Sequence, residues 1–304
     1  MGRTHGGGVM ACVRSAWLVL GGRTLPLENE AAGYFCSSLD LGSPDVREVT
    51  NNRPDADGID DRTQFMGGRV VTADITAMAS AGARIDDAAA AFAPFMVPSA
   101  RPVLHYILDR GDNTERTLTL RGSGYAWPIA GPFERDIQLQ WTAADPVARS
   151  SVSKSATAWA GTGTLGRVYN LVFPRVYPVG AGLPTTGVIS GNGDVPIQPY
   201  LRIFGPITNP IVWFSMVGGG PITASQIRLT ARIDAGHFLG IDTRLHTVRM
   251  DDDPAQSMLS SVYWISTTWP VLPNQPAYTN MTLSGTGTTS STQVVASWQD
   301  GYLT

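Results

Sequence analysis

The sequence predicts a mainly β protein of two β-sandwich domains, the first carrying one short helix. Three observations predict it. Glycine and proline, 33 and 21 of 304 residues, are too frequent for a helical rod, and the glycines lack the three-residue period of collagen. Hydrophobic residues make up 43% of the chain at a formal net charge of -3, so it can bury a core and is not a solvated, disordered polymer. Short alternating apolar runs recur between turn clusters, the pattern of sandwiches and jelly rolls.

Residues 9–20 look like the apolar stretch of a signal peptide. Arg14 interrupts them and no small-residue cleavage site follows Leu20, so they are read as part of the folded chain. No run reaches the roughly 18 apolar residues of a membrane span. Residues 69–75 and 103–108 alternate as strands, and the second predicts a hairpin with 117–121 across Arg110-Gly111-Asp112-Asn113. Asp86-Asp87 ahead of an alanine-rich run predicts an aspartate-capped helix, with acids at its positive dipole end. Pro94 and Pro98 are expected to end it. Residues 137–141 close the first half as a strand.

Residues 148–164, ARSSVSKSATAWAGTGT, are small and polar and suit a linker or a loose connecting strand. Domains are therefore expected at 1–148 and 166–304, joined by 149–165. Charge changes at the same place. The first 150 residues hold 14 arginines against 18 acids, and the remaining 154 hold 8 basic and 7 acidic residues. Beyond the linker, strands are predicted at 167–173, 200–204, 211–217, 226–233, 238–241, 247–250, 277–283 and 293–298. Trp213 and Trp298 are expected to point inward and fill the core. Trp264 and Trp269 lie beside turn signals and are candidates for stacking on a glycan or anchoring a protein partner.

Motifs for chemistry are weak. Gly161-Thr162-Gly163-Thr164-Leu165-Gly166 spells GxGxxG, but a polar linker precedes it and a strand-like run follows, so no nucleotide cofactor is implied. Asp55 to Asp61 gathers four carboxylates around Gly58 without the bidentate glutamate of a calcium loop, and a turn explains it. Asp251-Asp252-Asp253-Pro254 reads as a solvated hairpin tip. The histidines at 5, 105, 237 and 246 form no ligand spacing, though His237 and His246 could approach across two strands. His105 reads as a satisfied or edge-strand residue. No GxSxG, HExxH or carboxylate pair for glycoside hydrolysis stands out, so neither an enzyme nor a metal is expected. No basic excess supports nucleic-acid binding. Cys12 and Cys36 imply no disulfide framework. Twenty-one of 22 basic residues are arginine, and Lys154 is the sole lysine.

The order of several motifs resembles a known family. Leu41-Gly42-Ser43-Pro44-Asp45-Val46-Arg47, Asp57-Gly58-Ile59-Asp60-Asp61-Arg62-Thr63 and Gly67-Gly68-Arg69-Val70-Val71 are similar to the first domain of distal (minor) tail proteins of long-tailed, siphovirus-type bacteriophages. So are Pro98-Ser99-Ala100-Arg101-Pro102-Val103-Leu104 and Trp141-Thr142-Ala143-Ala144-Asp145-Pro146. The likeness continues in residues 199–210, in 234–243 and in the closing Val294 to Leu303. The chain departs from the family in its start, Met1 to Gly8, and in Pro273-Asn274-Gln275 where Pro-Gly-Asn is usual. The arginine-rich usage looks like a phage of an actinobacterial host.

The resemblance implies a structural virion protein of the tail tip: a ring-forming first domain and a jelly-roll or galectin-like second domain. The implied partners are five further copies in a six-fold ring, the tail tube protein, the tip hub and the tape measure, with no sequence-specific nucleic-acid contact. Arg47, Arg53, Asp57, Asp60, Asp61, Arg62 and Arg69 are then candidates for fixing ring register. The alternative is a carbohydrate-binding module of the tail tip that contacts a host glycan through Trp264 and Trp269.

Overall fold

A computed structural model describes residues 13–47, 50–52, 59–61, 65–78, 85–109, 113–131, 134–160, 185–217, 224–274 and 277–303. The protein is mainly β and divides into two compact units, Met1–Ser151 with Tyr302–Thr304, and Val152–Gly301. Within 149–165, expected to be a linker or a loose connecting strand, the described residues to 160 contain strand structure. Ala148–Ser150 pairs in the first unit and Lys154–Trp159 in the second, where Ala158 goes to the core. Small side chains suited an inward strand row as well as a linker.

The first unit packs two sheets around one core. Val13–Leu20 lies inside a six-stranded sheet, between Arg23–Pro26 and Val103–Leu108, and Glu115–Thr119, Ala148–Ser150 and Gly301–Tyr302 follow in that order. The second sheet centres on the long strands Arg69–Met78 and Glu134–Ala143, flanked by Tyr34–Asp40 and Arg121–Ala126. Alternation is strict where it matters: Leu104, Tyr106 and Leu108 face Ile137, Leu139 and Trp141 across the core. The helix, Ile85–Phe92, starts a residue before the aspartates, so Asp86 and Asp87 occupy its first turn, and a 3-10 turn Ala93–Met96 continues it past Pro94. Phe92 packs edge-on against Tyr34 at 5.4 Å, and Asp86 pairs with Arg135 at 2.6 Å.

The chain's last residues return to this unit. The Arg116 guanidinium lies 3.9 Å over the Tyr302 ring, and Arg69 Nη1 donates to the Leu303 carbonyl at 3.1 Å. Both arginines are buried.

The second unit is a sandwich of two five-stranded antiparallel sheets. One runs Lys154–Trp159, Gln293–Trp298, Tyr200–Phe204, Phe238–Asp242, Thr247–Met250. The other runs Thr186–Ile189, Tyr278–Thr286, Ile207–Val217, Ala224–Arg228, with the short Arg232–Ile233 beside Ile207–Val217. Their inward rows, including Leu201, Ile203, Val294 and Ala296 from one and Val212, Phe214, Ile227 and Met281 from the other, make a single core. The predicted strand 226–233 is broken into two pieces. The sole lysine holds this unit's ends together, with Lys154 Nζ 2.7 Å from the buried Asp300. The expected strand 167–173, the GxGxxG run, Arg110 to Asp112, His5 and Cys12 lie outside the described residues; Cys36 is a buried free thiol. No described helix is long and apolar enough to cross a membrane.

Candidate functional site

Three surfaces stand out. The first is a two-stranded ribbon of the first unit that belongs to neither large sheet. Val46–Arg47 pairs with Phe65–Met66, and further out Thr50–Asn52 pairs with Ile59–Asp61. Its root is fixed by Gly67 N–H donating to the Asp45 carbonyl at 2.6 Å. Gly42 takes a left-handed φ of 62° there, where a side chain would strike the Val70 carbonyl. Val46, Phe65, Met66 and the neighbouring Val70 are exposed large apolar residues, an arrangement typical of a contact surface.

Of the register candidates, Arg47, Asp60 and Asp61 lie on the strands of this ribbon, while Arg53, Asp57 and Arg62 lie outside the described residues. Arg69 is a correction. It is 1% exposed and bonds the chain's own Leu303, so it anchors the fold and is not available to another subunit.

The second surface is aromatic and belongs to the second unit. Trp264 is 55% exposed and Ile265 87%. Trp269 packs partly against the core, stacks on His246 at 4.6 Å and 16°, and meets Trp264 at 6.3 Å. His246 is thereby engaged with a ring and not with His237, which pairs with Asp251. His105 is satisfied on an interior strand, bonded to Glu115 at 2.6 Å and stacked on Trp17.

The third surface comprises the two outer faces of the second sandwich. On the sheet carrying Tyr200, polar groups are tied to one another. The turn after Thr247–Met250 puts Asp251 and Asp252 at φ of 51° and 59°, conformations that aspartate tolerates better than most residues. Asp251 accepts from Phe238 N–H at 2.9 Å and from His237 Nδ1 at 2.7 Å. Asp252 accepts from the Tyr200 hydroxyl and from Arg202 Nη2 at 2.8 Å. Arg202 also lies over the Tyr200 and Phe238 rings. Burial, then Asp252, pushes the Tyr200 phenol up to about 12. The Asp251 hydrogen bond raises His237, and the Phe238 N–H lowers Asp251.

The opposite sheet corrects the placement of Trp213. It points outward, 41% exposed, while Val212 and Phe214 take the core. Ile211-Val212-Trp213-Phe214 is apolar in both parities, so alternation alone could not choose the inward row. Trp298 does point inward, 7% exposed, with its indole N–H on the Ser190 carbonyl at 3.1 Å. Among the described residues no group of three or more His, Cys, Asp or Glu could hold a metal.

No family model and no curated protein matches the sequence. Among solved structures, the chain is similar to the crystal structure of the phage SPP1 Dit (gp 19.1) protein, described as a paradigm of the hub adsorption apparatus in phages infecting Gram-positive bacteria. The TM-score is 0.58 at 10% identity, over 95% of this chain and 99% of that one. Two structures of the phage P2 baseplate in its activated conformation, with Ca and with Sr, align at TM-scores of 0.43 and 0.42 and 8% identity, over 94% of this chain and 98% of theirs. What is shared with the SPP1 protein is the fold, through both units.

Proposed function

We propose that this chain is a structural protein of a phage tail tip, a distal (minor) tail protein that forms a ring joining the tail tube to the hub. The observation that carries the reading is the end-to-end fold match with a hub-apparatus protein, 95% of one chain against 99% of the other. A widely used β-sandwich matched by chance would align one unit, not two in the same order.

In this reading the ribbon makes the ring contact. Closed rotational symmetry requires two different faces of one protomer to meet, and the exposed Val46, Phe65 and Met66 supply one apolar face. Arg47, Arg53, Asp57, Asp60, Asp61 and Arg62 set its register by charge. The ring has six copies, surrounds the channel for the tape measure and DNA, and presents an acidic first half that keeps DNA from adhering. Trp264 and Ile265 meet a neighbouring tail protein. The role is structural and not catalytic, and an actinobacterial host fits the arginine-rich composition.

Native mass spectrometry and negative-stain imaging of the full chain, alone and co-expressed with the hub protein of the same phage, test this. Six-membered rings are expected, and Phe65→Asp should abolish them while the protomer stays folded. A wild-type chain that is monomeric in both settings, and absent from tail tips in immunogold-labelled particles, overturns the proposal.

A further inference from the structure

We propose that the outer face of the sheet carrying Trp213 binds an acidic saccharide, a carboxylate-bearing hexopyranose. The inference is independent of ring formation and moves the expected glycan contact away from Trp264 and Trp269, whose rings are already engaged with each other and with His246.

Register places the groups. Trp213 lies between Thr282 on one neighbouring strand and Gln226 on the other. One row away, Ser215 pairs with Asn280, and on the other side Ile211 pairs with Arg228. Residues in one cross-strand row, or diagonal by two, sit about 5–8 Å apart on one face. That is the scale of a single sugar ring. A half-exposed indole provides the apolar platform on which the C–H face of a pyranose stacks. Gln226 and Asn280 offer planar amides, and Thr282 and Ser215 offer hydroxyls, all able to donate and accept.

Two observations favour a ligand over an ordinary solvated face. The side chains of Trp213, Gln226, Asn280 and Thr282 make no hydrogen bond or ring contact within the described residues, so among those residues nothing takes up their hydrogen-bonding capacity. The charge is also one-sided. Arg228 is exposed, its guanidinium rests 4.9 Å over the Tyr263 ring, and it forms no ion pair with a described carboxylate. The outward rows of this sheet named by its register contain no aspartate or glutamate. The Tyr263 segment is itself pinned to the edge strand, with Tyr263 N–H on the Arg228 carbonyl at 2.9 Å and Arg228 N–H on Thr267 Oγ1 at 3.2 Å. A guanidinium held over the Tyr263 ring, one outward row along the sheet from Trp213, matches a sugar carboxylate, to which its fork binds in two-pronged fashion.

Isothermal titration of the full chain with trigalacturonate and with neutral galactotriose tests the assignment. Wild type should bind trigalacturonate with Kd of about 0.1–1 mM, an affinity of roughly 4–5.5 kcal/mol, and galactotriose at least tenfold more weakly. Trp213→Ala should weaken trigalacturonate binding at least tenfold with Tm lowered by no more than a few degrees, and Trp213→Phe should restore part of the binding. Arg228→Gln should abolish the preference for the acidic sugar, and salt should weaken wild-type binding. No binding to either sugar, or unchanged binding by Trp213→Ala, overturns the site. Equal affinity for the two sugars overturns the acidic ligand class. Ring assembly by a chain that fails these tests would leave the tail reading intact.

Discussion

Both sheets of the second unit turn one face to a shared core and the other to solvent, yet their outer faces are built differently. On the Tyr200 face, a tyrosine, an arginine, a histidine and two aspartates bond one another. On the Trp213 face, amides, hydroxyls and an arginine point outward with no carboxylate among them. Rigidity and recognition thus lie on opposite faces of one small sandwich. Side chains tied into a network hold a turn in place, and side chains without a hydrogen-bond partner among the described residues remain available to something else.

The sharpest test compares the two tryptophans. Trp298→Ala should cost about 3–5 kcal/mol, because it removes a buried indole and leaves the Ser190 carbonyl without its donor. Trp213→Ala should cost under about 1 kcal/mol, since most of what it loses was already in contact with water. Urea unfolding of both variants decides it, and equal losses would mean that Trp213 is a core residue after all.

Gly240 offers the next largest contrast. It is buried, and a side chain there would collide with the Asp252 carboxylate and the Tyr200 hydroxyl. Gly240→Val should therefore destabilise by about 2–3 kcal/mol through overpacking and loss of the network. Thr282→Val on the opposite face should stay within about 0.5 kcal/mol. Equal effects in thermal melts would erase the distinction between the faces.

The two faces also differ in how far the sequence revealed them. In residues 200–204 and 293–298 the polar residues Arg202, Gln293 and Ser297 fall in one parity only, so the opposite, inward rows could be read directly. Ile211 to Phe214 is apolar in both, and only packing against Ile227 and Met281 decides which pair is buried. The Asp251 to Pro254 run announced a turn by composition. Its bonds to Tyr200, Arg202 and His237 join residues 14 to 52 positions apart, for which no local signal exists. The ribbon at 46–66 was visible as a charged motif and not as strands, because its polar, turn-rich segments lack alternation. Arg69 shows the converse error. Its charged motif suggests a surface role, while the carbonyl that it bonds, that of Leu303, lies 234 residues away.

Asp252→Asn separates charge from shape on the bonded face. Asparagine tolerates the left-handed backbone at this position as well as aspartate does, so the turn should persist. Losing the Arg202 pair should cost about 1 kcal/mol, held down by the half-exposure of the arginine. The Tyr200 phenol should fall from about 12 yet stay above 10, because burial and not Asp252 is the larger cause of its shift. Ultraviolet titration of wild type against the variant reads this. A phenol that returns to 10 would show that the ring is not shielded, and would weaken the case for a rigid face.

The smallest effect is a pH dependence confined to the same face. The Asp251 hydrogen bond raises His237, so the imidazolium stabilises the fold fully below its unfolded value of about 6.5, and this is lost as pH rises through the raised folded value. Asp251 is lowered, first by the Phe238 N–H and then by His237. Its contribution is present above about 3.9 and is lost as pH falls through the lowered folded value. Both contributions therefore coincide between about pH 4 and 6.5. In Tm measurements, His237→Gln should lower stability most near pH 5 and least above the folded imidazolium value. Both groups are exposed, so added salt should shrink the gap. Parallel Tm curves for wild type and variant across that range would show that the pair fixes the turn by hydrogen bonding alone.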